Sequence, residues 1–208
     1  MGVSRQKAAE NRKAIIEASE KLFREHGIDG VGLNALMKAA GFTQGGFYNH
    51  FQSKEALAAE VVASAMEKAN QDLKDAIAAP LSPDGDRLQR QVDFYLSGTH
   101  CSDIEHGCAV AGLSADVRRL GDQAQTIFSK GLNAMIEILA GPVAEHLPEG
   151  NNQEETRRMA IAFCCEMVGA LILSRSVVSA DAAFAEEIMA ASRHVLLNHF
   201  VEQKTTDE

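Results

Sequence analysis

Apolar residues recur at three- and four-residue spacings through most of the chain, and nowhere does a strand-like alternation compete with that period. Ala8 to His26 reads as an amphipathic helix with Ile15, Ile16, Ser19, Leu22, Phe23 and His26 along one side, closed by Gly27. Leu33 to Ala40 places Leu33, Leu36, Met37 and Ala40 on one face of a short second helix. Gly41 ends it, since a glycine can take positive φ and turn the chain sharply before Thr43, whose hydroxyl can cap a third helix. In that third helix Phe47 and Phe51 lie four apart and face inward, and Ser53 caps the next one. From Ala56 onward the periodicity predicts helices to about residue 79, then Asp86 to Ser97, Cys108 to Arg119, Asp122 to His146, Gln153 to Ser179 and Asp181 to Val201. Turn formers break the pattern at residues 80–85, 98–107 and 147–152.

The pattern predicts an all-α protein of two domains. Residues 1–55 are expected to form a three-helix DNA-binding domain of the helix-turn-helix kind, and residues 56–208 a second helical domain, for dimerisation. In a helix-turn-helix the second helix of the pair enters the major groove and its first turn meets base edges. Gln44 occupies that turn, and its amide can pair bidentately with adenine. Gly45 and Gly46 leave no side chain to hold the backbone off the DNA, while Tyr48, Asn49 and His50 fall toward the outer face. Two glycines in one short helix cost roughly 1 kcal/mol each relative to Ala, which a purely structural helix has little reason to carry. Lys54, in the first turn of the following helix, lies where a phosphate would be met. The competing reading, core plus a solvated face, holds for Phe47 and Phe51 but not for the polar residues between them.

The net charge of −9 argues superficially against a nucleic-acid partner, but the charges are unevenly placed. Residues 1 to 57 carry eight Lys and Arg against six Asp and Glu, whereas the remainder carries twelve against twenty-three. The head is thus weakly basic, and its affinity has to come from a few well-placed donors, from an N-terminal arm with Arg5, Lys7 and Arg12, and from doubling by dimerisation. No apolar run is expected to span a membrane, because Ala160 to Leu173 contains Glu166 and is followed by Arg175. Four cysteines without a signal peptide fit a reducing cytoplasm. No Gly-rich phosphate loop, zinc-helix motif or nucleophile elbow is found, which disfavours an enzyme, and no cofactor is called for.

From Arg12 through Leu57 the chain resembles the TetR family of bacterial transcriptional regulators. The resemblance is carried by Ile15, Ile16, Ala18, Leu22, Phe23, Gly27, Leu36, the run Ala39 to Thr43, Gly45, Phe47, Tyr48, His50, Phe51 and Lys54 to Leu57. It implies DNA contact by Thr43, Gln44, Tyr48, His50 and Lys54, with Gly45 and Gly46 at the DNA-facing backbone. It further implies a homodimer on palindromic double-stranded operator DNA, with residues 56–208 as an effector-binding and dimerisation domain and release by a small-molecule effector whose identity is unknown. Gly32 departs from the pattern, since the family more often has a Thr there that caps the second helix and touches a phosphate.

The last two predicted helices are the most apolar, with Gly169, Ala170 and Ser174 allowing close approach, and are expected to form a four-helix interface with a second copy. Glu166, inside an apolar run, has to find the surface, an arginine such as Arg175 of a second copy, or a ligand. His100 to Cys108 concentrates two His, two Cys and two carboxylates. Three readings stand for it. The spacing matches no compact zinc pattern, which disfavours a metal site. Cys108, at a predicted helix start beside His106, is a candidate redox or electrophile sensor. It also fits a buried structural thiol, the usual fate of a free cysteine. Gly107-Cys108 with Leu113 to Val117 resembles the Gly-Cys branch of TetR-like regulators, which includes electrophile-sensing repressors of the N-ethylmaleimide reductase type. That branch implies a lysine partner late in the chain, where Ile172 stands here.

Overall fold

The computed structural model describes residues 5–148 and 150–200, and over these the protein is helical, with no strand among the described residues. In chain order it comprises α1 (Arg5–His26), α2 (Leu33–Ala39), a 3₁₀ helix (Gln44–Asn49), α3 (Lys54–Ala78), α4 (Arg87–Tyr95), α5 (Gly98–Ser102), α6 (Ala109–Val117), α7 (Asp122–Ala144), α8 (Gln153–Val177) and α9 (Ala182–Phe200). The expected end of the last helix at Val201 lies outside the described residues.

By packing, the chain divides into two compact units whose border differs from the 55/56 division expected above. The first gathers the chain up to Ala69 together with Ile104–Gly131; the second gathers Asn70–Asp103 with the chain from Leu132 onward. In the first unit Ile15 and Phe23 of α1, Leu36 and Met37 of α2, Phe47 of the 3₁₀ helix, Leu57, Val61 and Val62 of α3 and Leu113 of α6 share one core. Gly27 and Gly41 both have positive φ, 71° and 81°, as expected of residues that close one helix and aim the next. Gly131 meets α3 so closely that a Cβ there would sit 2.7 Å from the Cβ of Met66, which leaves room only for hydrogen.

Two polar contacts fasten α6 to the end of α1. Arg24, buried and paired with Glu20 at 2.6 Å, donates from its guanidinium to the carbonyl of Gly107, just before α6. At the other end of α6, buried Asp116 accepts the backbone N–H of Ile28 at 3.0 Å and pairs with Arg119. A side chain at Gly112 would press on the Arg24 stem at 3.2 Å.

In the second unit α8 and α9 make the most extensive helix pair, with α4 and α5 packed beside them. Phe163, Met167, Ala170 and Leu171 of α8 and Ala185, Met189 and Leu196 of α9 are buried. Helix α5 falls inside the break expected at residues 98–107. Five residues are too few to show a period, but Ser97 caps it by accepting the N–H of His100 at 3.1 Å, and Arg175 of α8 donates to the carbonyls of His100, Cys101 and Asp103 at its other end. Contrary to the expectation drawn from Glu166, α8 is long and apolar enough by length and composition to cross a membrane, with a mean hydropathy of 1.7 over its most apolar stretch. Its run Phe163, Met167, Ala170, Leu171 and Ser174 forms one buried face, packed on α9.

Candidate nucleic-acid interface

The turn after α2 is set by backbone bonds: the N–H of Gly41 reaches the carbonyl of Lys38 at 3.0 Å and that of Phe42 reaches Met37 at 2.7 Å. Thr43 then takes an extended conformation (φ −88°, ψ 150°) at the N-cap position, but its hydroxyl makes no capping bond. The expected cap is therefore absent. The element that follows is a 3₁₀ helix rather than the α-helix expected, which suits six residues that include two adjacent glycines of poor α propensity. Gly32, at the start of α2, likewise supplies no side-chain cap, as its departure from the pattern implied.

Phe47 roots this helix, being fully buried, and Phe51 lies 5.6 Å from it between ring centroids. Outward of that root, Thr43, Gln44, Gly45, Tyr48 and Asn49 are exposed, Tyr48 at 70%. His50 is only half exposed, its ring tilted 6.3 Å from Phe42 and 6.4 Å from Phe51. The two glycines differ. Gly45 faces open space, whereas a Cβ at Gly46 would touch Met37 of α2 at 3.7 Å, so Gly46 is turned inward rather than outward.

Ser53 caps α3 as expected, accepting the N–H of Ala56 at 3.1 Å. The Ser53 hydroxyl, followed by the backbone N–H of Glu55 itself and by Lys54, holds the Glu55 carboxyl below the usual carboxylate range. Half-exposed Lys54 lines a cleft of about 120 Å³ with Ile28, Asp29, Glu55, Asp116, Arg119 and Leu120. Arg5 and Lys7 belong to α1 rather than to a free arm, and Arg12 makes a bidentate ion pair with Glu60 of α3 while its guanidinium lies 4.5 Å over the Phe51 ring. Sequence reasoning missed this last arrangement, because the pair is 48 residues apart and neither residue breaks the local pattern.

The residues of the cysteine segment do not gather. His100 and Cys101 are buried in the second unit, whereas Glu105, His106 and Cys108 belong to the first. His100 donates from Nδ1 to the carbonyl of Tyr95 at 2.7 Å and stacks on Phe94; burial pushes its imidazole below the ordinary value, Arg175 adds to that, and the Tyr95 carbonyl opposes it. Cys101 lies 3.4 Å from the hydroxyl of Ser174. Cys108 is half exposed at the N-cap of α6 and makes no capping bond. His106, expected to assist it, sits 3.8 Å from Glu105, which in turn lies 3.4 Å from Lys21. Among the described residues no group of three or more His, Cys, Asp or Glu could hold a metal ion. Glu166 is exposed on α8, and Arg175, suggested above as a partner for it from a second copy, is engaged with the carbonyls at the end of α5.

Residues 15–61 match the family described as bacterial regulatory proteins, tetR family, a stretch that runs from the buried side of α1 through the 3₁₀ helix into α3. Over 135 residues the chain is 27% identical to the HTH-type transcriptional repressor NemR of Escherichia coli, covering 63% of this chain and 66% of that repressor, just under two thirds of its length. The crystal structure of reduced E. coli NemR superposes with a TM-score of 0.71 at 21% identity, covering 91% of this chain and 96% of that one. A TetR transcriptional regulator from Legionella pneumophila has the same fold, with a TM-score of 0.71, 22% identity and coverage of 96% and 100%.

Proposed function

We propose, for a chain that belongs to the TetR family of bacterial regulatory proteins, that it is a homodimeric repressor which leaves a palindromic operator when a small molecule binds. DNA binding, the operator, the dimer and the effector are all part of this reading, which the family match over residues 15–61 supports. The observation that carries the reading is the exposed row on a 3₁₀ helix whose only deep root is Phe47. The Tyr48 ring touches Phe47 only edge-on and is otherwise open to an outside partner, and Gln44 beside open Gly45 can approach a base edge. Thr43, Asn49, His50 and Lys54 are assigned to phosphates, with Gly46 closing the turn against α2. Ile172, Leu173, Phe184 and Val195, exposed on α8 and α9, support these helices as the face that meets a second copy. We place the regulator in the cytoplasm, where its DNA is, and assign it no catalytic role.

The experiment is a double substitution, Gln44→Ala with Tyr48→Ala, assayed on the DNA immediately upstream of the protein's own gene at matched salt. Operator affinity should fall about ten- to a hundredfold, the range expected on losing a bidentate base contact and its neighbour. Unchanged affinity removes the 3₁₀ helix from DNA reading.

A second reading, a thiol-responsive regulator, is favoured by one observation: Cys108 is half exposed, uncapped, and adjacent to the Gly107 carbonyl that Arg24 grips. A bulky adduct on the thiol would then act on a backbone fastened to α1. Cys108→Ser should keep operator binding within twofold of wild type and abolish release by N-ethylmaleimide. Release that persists in Cys108→Ser takes Cys108 out of the mechanism.

A further inference from the structure

Arg12 is one of three basic residues of α1 that the sequence offers to phosphates, yet its guanidinium is committed elsewhere. Both terminal nitrogens meet both carboxylate oxygens of Glu60, and the guanidinium carbon stands 4.5 Å over the ring of Phe51. Phe51 is 3% exposed, its backbone N–H closes on the carbonyl of Phe47 at 3.0 Å, and its ring is tilted against that of Phe47. One planar group thus ties together α1, which carries it, Phe51 just after the 3₁₀ helix, and Glu60 of α3. A guanidinium suits this place because its fork fixes direction against a carboxylate while its face stacks on an aromatic ring. A lysine would supply the charge without either constraint. The 3₁₀ helix needs such a fixture, because Gly45 and Gly46 give it little stiffness of its own and Thr43 supplies no cap.

We infer that Arg12 is a positioning residue for the DNA-reading element, acting with Glu60 through Phe51 to set the angle at which Gln44 and Tyr48 are presented, and not a phosphate contact. The inference rests on the DNA-binding reading above. It predicts an effect on sequence discrimination without an effect on counterion release, because phosphate neutralisation sets the salt dependence while orientation sets the match to bases.

Full-length Arg12→Lys, Arg12→Ala and Glu60→Gln proteins are compared with wild type, by titration over a range of salt, on the upstream DNA and on a duplex of unrelated sequence. Circular dichroism confirms folding, and the two conservative variants keep the test open should Arg12→Ala unfold. Each substitution should weaken binding to the upstream DNA about tenfold, leave binding to the unrelated duplex unchanged, and leave the salt slope as it was. A phosphate contact gives a different pattern. Arg12→Ala would then lower the slope by about one and weaken both duplexes alike, while Glu60→Gln, by freeing the guanidinium, would tighten both. Either that pattern, or upstream binding unmoved by all three substitutions, overturns the inference. The Gln44→Ala, Tyr48→Ala protein is run beside them: if it too binds as wild type, the reading element itself is at fault rather than its fixture.

Discussion

Phe47→Ala should be the most damaging single truncation in the first unit, lowering the unfolding free energy by about 3–5 kcal/mol, the range for deleting a buried phenyl ring. Phe47 is fully buried, and its carbonyl accepts the N–H groups of both His50 and Phe51 at 2.9 and 3.0 Å. The ring also meets Tyr48 edge-on at 5.3 Å and Phe51 at 5.6 Å, so a cavity there loosens the aromatic cluster beneath the whole 3₁₀ helix. The six-residue helix has no other fully buried side chain to hold it. Denaturant titration measures the loss. Phe47→Leu keeps most of the volume and should cost less than about 2 kcal/mol, so equal losses in the two variants would show that this site does not depend on packing. Operator binding by Phe47→Ala should fail even in buffers where the protein remains folded, because Gln44 and Tyr48 lose their common root.

Arg24→Ala should be nearly as severe, at about 3–5 kcal/mol, for a different reason: it leaves a buried carboxylate without its counter-charge. Arg24 and Glu20 are both buried, 2.6 Å apart, and the guanidinium also serves the carbonyl of Gly107. Its aliphatic stem fills the space that Gly112 leaves open, so the alanine variant loses packing as well. The double variant Glu20→Leu with Arg24→Met removes both charges while keeping bulk, and should be more stable than Arg24→Ala alone. A double variant that is worse than the single one contradicts the assignment of the cost to an unpaired charge. The comparison needs only thermal or denaturant unfolding of three proteins.

The parts of the fold legible in the sequence are those fixed by neighbours in the chain. Gly27 and Gly41 announce positive φ because a left-handed residue after a helix is almost always glycine, and Ser53 announces a cap because its partner, the N–H of Ala56, is three residues away. Asp86 caps α4 in the same way, accepting the N–H of Gln89 at 2.9 Å. Thr43 shows the limit of such reasoning: the residue type and the extended backbone were right for a cap, but the following 3₁₀ turn does not bring an N–H to its hydroxyl. The exposed polar row from Thr43 to Asn49 was readable because inward Phe47 fixes the phase of everything beside it. The difference between Gly45 and Gly46 was not readable, because it depends on Met37 of α2 lying 3.7 Å from where a Gly46 Cβ would sit.

Contacts between distant residues left no trace in the local pattern. Arg12 with Glu60, Arg24 with Gly107 and Ile28 with Asp116 are 48, 83 and 88 residues apart, and the side chains that make these bonds are charged types common on solvated helix faces. For the same reason a single stretch of His, Cys and carboxylates between residues 100 and 108 looked like one cluster, although the chain sends its two ends into different compact units. Proximity in sequence measures proximity in space only within an element, and here the stretch runs from the end of α5 through a turn to the N-cap of α6.

The fastening of α6 across α1 also bears on the order in which the protein can be made. The first unit is not a contiguous piece of chain: Leu113 and Asp116 belong to its interior as much as Phe23 and Phe47 do. A ribosome delivers the residues of α4 and α5 before those of α6, so Ile28 lacks its acceptor and Arg24 its carbonyl until more than half of the protein has been synthesised. A nascent chain halted before Ala109 therefore carries every residue assigned to DNA while still lacking Leu113 and the Asp116 acceptor of Ile28.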